Sequence, residues 1–133
     1  MSKQDITIHA VAGLLAWVMA TAYYAAFGGA LLERAFWFYA ANAFMVGAGV
    51  LFLFRAAIQI ARTSPRRRPR HAAAFAAPGL IGGTLTLIFL TDLFPHLQPV
   101  SVGRYGAFLF VGYAMVAYAA FEPWFKPAAS PAR

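Results

Sequence analysis

Four stretches of the chain are free of acidic and basic side chains apart from one histidine. They are Ile6–Leu32 (27 residues, interrupted by His9), Ala35–Phe54 (20), Ala72–Thr91 (20) and Tyr105–Phe121 (17). Each is close to the about 20 residues that carry a helix across a hydrocarbon core about 30 Å thick. The spacing predicts an all-α polytopic membrane protein with four transmembrane helices at about 6–27, 36–60, 72–94 and 105–125, forming a single domain over residues 1–133. Barrel strands would alternate apolar with polar side chains, whereas Val11 to Ala20 is apolar throughout. The first stretch exceeds the 7–15 apolar residues of a signal peptide and its leader carries no net positive charge, so it is expected to be retained as a helix. The connections at about Gly28–Ala35 and Pro95–Arg104 are short, as is the basic loop at 63–71, and short connections predict an up-down antiparallel bundle.

Composition fixes the solvent. Hydrophobic residues make up 62% of the chain and charged residues 11%, against about 25% charged in a soluble domain. A water-facing globule, a disordered tail and a collagen-like rod are thereby excluded. The chain has no cysteine, which excludes disulfides, thiolate metal sites, iron–sulfur clusters and cysteine nucleophiles.

The basic residues orient the spans. Lys3, Arg62, Arg66, Arg67, Arg68, Arg70, Lys126 and Arg133 fall on one side, Arg34 and Arg104 on the other, and Arg55 lies near the richer side. Arginines cluster on the cytoplasmic side of membrane proteins, so both termini are expected there, in the inner membrane of a bacterium. Arg66, Arg67, Arg68 and Arg70 read as this topological signal, with a further affinity for anionic lipid headgroups. No aromatic platform accompanies them, so no nucleic-acid partner is expected.

In lipid, apolar burial does not drive helices together, and small residues that admit close backbone approach decide the interfaces. Gly79 and Gly83 form a GxxxG pair on the third helix, Ala12, Ala16 and Ala20 a four-residue stripe on the first, and Ala43 and Gly47 a similar pair on the second. Pro78 predicts a bend in the third helix. Thirteen phenylalanines and six tyrosines on so short a chain imply that many rings face lipid or a partner.

Polar chemistry is sparse. Asp92 stands four residues before His96, so a helix continuing through Pro95 would place both on one face, either as a proton or cation site or, for Asp92, as a cap or ion pair with Arg104. Asn42 is expected to hydrogen-bond between helices, or to line a polar path with Tyr39 and Tyr113. His9 and His96 fall on opposite sides and cannot share an ion or a haem, so no metal and no cofactor is expected. No nucleophile–base pair, phosphate loop or paired carboxylate is present, and no catalytic residue is expected.

In size and number of spans the chain is similar to the small multidrug transporters. It departs from them in its first helix, where no acid lies between Asp5 and Glu33, so their acid-dependent coupling is not carried over. The sequence predicts a non-enzymatic membrane protein that packs with copies of itself or with other membrane subunits. The alternative is a small oligomeric transporter or channel using Asp92, His96 and Asn42, and the weakest reading is a quinone- or lipid-handling enzyme or haem carrier.

Overall fold

The structure, a computed structural model, describes residues 2–32, 35–95 and 101–126. The chain is all-α, with no strand among the described residues, and four of its helices are long and apolar enough to cross a membrane. Helix α1 spans Lys3–Leu32, α2 Phe36–Ile60, α3 Arg68–Ile88, α4 Leu90–Leu93 and α5 Ser101–Phe125. At 1.5 Å per residue the 30 residues of α1 exceed the hydrocarbon thickness, so its ends reach past the apolar core.

Helix α1 extends beyond the expected 6–27 at both ends and α5 starts at Ser101 rather than 105, while both ends of the third span also differ. The basic loop predicted at 63–71 is shorter, because Pro65–Arg67 form a turn of 3-10 helix and α3 starts at Arg68. Proline at the first turn of a helix gives up an amide hydrogen that would have no partner anyway, so Pro69 favours this early start. Helix α3 runs on through Pro78 and breaks at Phe89; after the single turn of α4, Phe94 leaves the helical region (φ −128°, ψ 71°), which the following proline disfavours. The helix therefore ends at Leu93, before Pro95; His96, and with it the face it was expected to share with Asp92, lies outside the described residues.

Helix α2 ends in a Schellman arrangement, with the Thr63 amide donating to the Ile58 carbonyl and the Arg62 amide to that of Gln59. Arg62 adopts φ 48°, a left-handed conformation usually taken by glycine.

The helices form two hairpins lying side by side. Helix α1 packs on α2 and α3, and α5 packs on the same two, leaving α1/α5 and α2/α3 as the diagonals. The hairpins α1/α2 and α3/α5 are antiparallel, whereas the contacts between them are parallel. Along α1 and α3, His9 meets His71, Gly13 meets Phe75 and Trp17 meets Gly79; along α2 and α5, Tyr39 reaches Arg104, Gly47 lies against Gly112 and Arg55 pairs with Glu122.

Small residues set these distances. A Cβ on Gly13 would stand 1.8 Å from the Phe75 carbonyl oxygen, a close backbone approach in the α1–α3 seam. A Cβ on Gly79 would stand 1.5 Å from the Tyr113 hydroxyl, and one on Gly83 2.7 Å from Leu109. Ala16 and Ala43 are buried, Ala12 is half-buried, and Gly47 lies under Met115 and beside Gly112. Gly79→Ala is expected to destabilise the bundle by about 1–3 kcal/mol through overpacking. Tyr113→Phe, which removes the nearer of the two clashing ring atoms, should recover part of that loss; equal losses with and without the tyrosine hydroxyl would contradict the contact.

The outside is a belt of large apolar side chains. Trp37 is 81% exposed and Phe110 77%, as lipid-facing rings must be in a protein whose solvent is hydrocarbon.

Candidate functional site

Polar side chains gather at two depths inside the bundle. In the half away from the arginine-rich connection, the Tyr24 hydroxyl donates to Asn42 Oδ1 at 2.9 Å and Asn42 Nδ2 donates to the Tyr23 hydroxyl at 2.8 Å. One amide thus fastens α2 to two consecutive residues of α1. The Tyr39 hydroxyl donates to the Arg104 carbonyl at 2.8 Å, while the Arg104 guanidinium stands 5.6 Å from the centre of the Tyr39 ring. Thr21 and the Tyr105 hydroxyl are 3.4 Å apart. The Tyr24, Tyr105 and Phe108 rings fill the space between them, with Tyr24 and Phe108 at 4.5 Å.

At the other end, the residues lie closer to chemistry. His9, in the second turn of α1, and His71, in the first turn of α3, are 0% and 2% exposed, with ring centroids 4.6 Å apart and planes tilted by 60°. The parallel pairing of α1 with α3 brings these two starts to the same level. His9 Nδ1 is 2.8 Å from the Asp5 carbonyl oxygen, and His71 Nδ1 is 2.8 Å from that of Arg67. A carbonyl only accepts, so both Nδ1 atoms carry hydrogen and donate. Both Nε2 atoms are buried without a hydrogen-bond partner. Phe54 stands edge-on to His9 at 6.3 Å and to Phe75 at 5.3 Å, walling the pair with rings.

Outside the pair, Glu122 on α5 bridges Arg55 of α2 at 3.5 Å and Lys126 one turn on. This is an exposed network of the kind that contributes little to stability.

The residues singled out from sequence separate. Asp92 is exposed in α4, and no hydrogen bond or ion pair to its carboxylate occurs among the described residues, so the cap or Arg104 pairing expected of it is not formed there. Asn42 is held by two tyrosines from α1, while Tyr113 lies in a different contact against Gly79. His96, the third residue of the expected polar path with Asp92 and Asn42, lies outside the described residues. Arg66, Arg67 and Arg70 are exposed and Arg68 half-buried at the end of the bundle that holds the histidine pair. No group of three or more metal-ligating side chains gathers among the described residues.

Sequence reasoning missed His71, Gly13 and Trp17, whose indole covers Gly82 at the same seam. His71 reads as the end of an arginine run. The available signal was its register: His71, Phe75 and Gly79 recur every four residues on α3, as His9, Gly13 and Trp17 do on α1.

Residues 31–124, from the end of α1 to the last turn of α5, match DUF5367, a family of unknown function. The chain belongs to the DUF5367 family. No curated protein and no solved structure matches it. The matched stretch of this DUF5367 member includes His71, Asn42, Gly79 and Glu122, whereas His9 and Gly13 precede it.

Proposed function

We propose that this DUF5367 member is a non-enzymatic protein of the bacterial inner membrane that works by assembly with further copies of itself. The observation carrying this reading is a groove of about 470 Å³ between α1 and α2, open to the outside and floored by Ala16, Ala20 and Gly49. Gly49 is exposed, and a Cβ there would meet nothing within 4 Å. Glycine weakens a helix interior by roughly 0.5–1 kcal/mol relative to alanine. That cost has no return within one copy, whereas a small-residue floor is what a neighbouring helix packs against in lipid. The centre of the bundle supports the same reading, because its void of about 10 Å³ has room for roughly one water and not for a solute.

The cysteine-free chain makes the test direct, since an introduced thiol is unique. Oxidation of Gly49→Cys protein in native membranes is expected to give a covalent dimer, while Ile81→Cys, at an exposed position on α3, gives much less. Equal yields at the two positions, together with a monomer in native mass spectrometry from mild detergent, would refute self-assembly through this groove.

Orientation is proposed on the charge asymmetry, with the arginine-rich end in the cytoplasm. Ser2→Cys and Ser64→Cys are expected to react with a membrane-impermeant maleimide only after lysis, and Pro95→Cys in intact cells. The reverse pattern would invert the topology.

A further inference from the structure

We infer that His9 and His71 form a buried proton-binding site, in which one proton held between the two imidazoles ties α1 to α3. The argument begins with tautomers. A neutral imidazole has a single N–H, and here each ring commits it through Nδ1 to the carbonyl four residues earlier, at 2.8 Å in both cases. Each Nε2 is consequently a bare acceptor. Both acceptors are sealed from solvent, neither has a partner, and their rings touch across the α1–α3 seam with centroids 4.6 Å apart. Acceptors in such a place need a donor, because a bare lone pair in a dry interior has lost its water without replacement.

One proton supplies that donor. It converts one ring to imidazolium, and although the two Nε2 atoms do not meet in hydrogen-bond geometry in the unprotonated pair, a small rotation of the touching rings lets that Nε2–H donate to the Nε2 of the other, so a single hydrogen satisfies both atoms. A metal ion is the less economical occupant, since the two nitrogens would be its only gathered protein ligands among the described residues. Asp5 lies one turn before His9 on α1 and offers a counter-charge; Arg67, Arg68 and Arg70 surround the start of α3; Arg55 of α2 and Glu122 of α5 are joined to each other at 3.5 Å. The proton would come from water at the arginine-rich face, past Asp5. One turn further in, Gly13 lies against the Phe75 backbone, so the occupancy of the pair bears directly on how tightly α1 and α3 meet.

The test uses the full chain in lipid nanodiscs, with ring-15N histidine and His96→Gln to leave these two imidazoles. Nitrogen spectra recorded from about pH 9 down to pH 4, across the range in which imidazoles ordinarily titrate, are expected to show uptake of one proton per pair. Both Nε2 resonances should move together in one step, each by about half the shift of a free imidazole. Two full-sized steps, or no uptake over the range, would overturn the proposal. So would a shift of both Nε2 resonances by one equivalent of Zn²⁺ at neutral pH, which would assign the site to a metal. In a second variant, His71→Asn, whose amide keeps a donor for the Arg67 carbonyl, the half-sized step should vanish; its survival on His9 alone would also overturn the inference.

Discussion

Gly13→Leu is expected to prevent the four helices from closing into their bundle, and Gly13→Ala to destabilise it by about 3 kcal/mol or more, at the upper end of what overpacking costs. A Cβ at this position would lie 1.8 Å from the Phe75 carbonyl oxygen and 2.7 Å from its carbon. That is roughly 1.5 Å short of the about 3.3 Å at which carbon and backbone oxygen ordinarily meet. The obstructing atoms are backbone, so no side-chain rotation relieves the clash and α1 must move away from α3. The movement also separates His9 from His71 and lifts the Trp17 indole off Gly82, on the neighbouring turns of the same seam. Unfolding in mixed micelles, followed by tryptophan fluorescence, measures the loss. Gly103→Ala is the control, because open space surrounds that exposed position away from the groove, and alanine there should leave stability unchanged or raise it by up to about 1 kcal/mol. If the two alanine variants proved equally stable, α1 and α3 would not approach as described.

The second large effect is expected from Asn42→Leu, at about 2–3 kcal/mol. The substitution removes two hydrogen bonds, each worth roughly 0.6–2 kcal/mol between helices in a membrane. It also strands the Tyr24 hydroxyl, whose residue is 1% exposed, and an orphaned buried group adds about 1–3 kcal/mol. The separate figures overlap, because losing the bond and stranding the donor are partly one event. Tyr24→Phe removes the stranded hydroxyl, so the double variant should be more stable than the sum of the single losses predicts, with a coupling of about 1 kcal/mol or more. Additive losses would show that the hydroxyl and the amide do not meet.

These two sites differ in how far the sequence reveals them. Asn42 stands out by its chemistry, since a lone amide in an apolar helix must find a partner, and it is legible as a packing residue without knowledge of which residues it meets. Gly13 does not stand out: it lies among Ala12, Leu14 and Ala16, and alanine stripes on the same helix suggest several equally good faces. The histidine pair was obscured differently. His9 invites comparison with whatever ligand lies at its own depth, and that depth depends on α3 starting at Arg68, three residues before His71 and inside the stretch read as loop. Asp92 shows the converse, a chemically conspicuous residue that the early end of α4 leaves exposed at the rim.

The amino-acid sequence alone determined that hydrocarbon surrounds this chain and how many times the chain crosses it, because the thickness of the apolar layer sets the length of each uncharged stretch. The tertiary structure alone decided which helices are neighbours, that the two hairpins meet through parallel pairs, and which polar atoms share the interior. The reason lies in the solvent. In water an apolar stripe shows which face of a helix turns inward; in lipid every face is apolar, and the inward one is settled by small differences in how closely the backbones can approach.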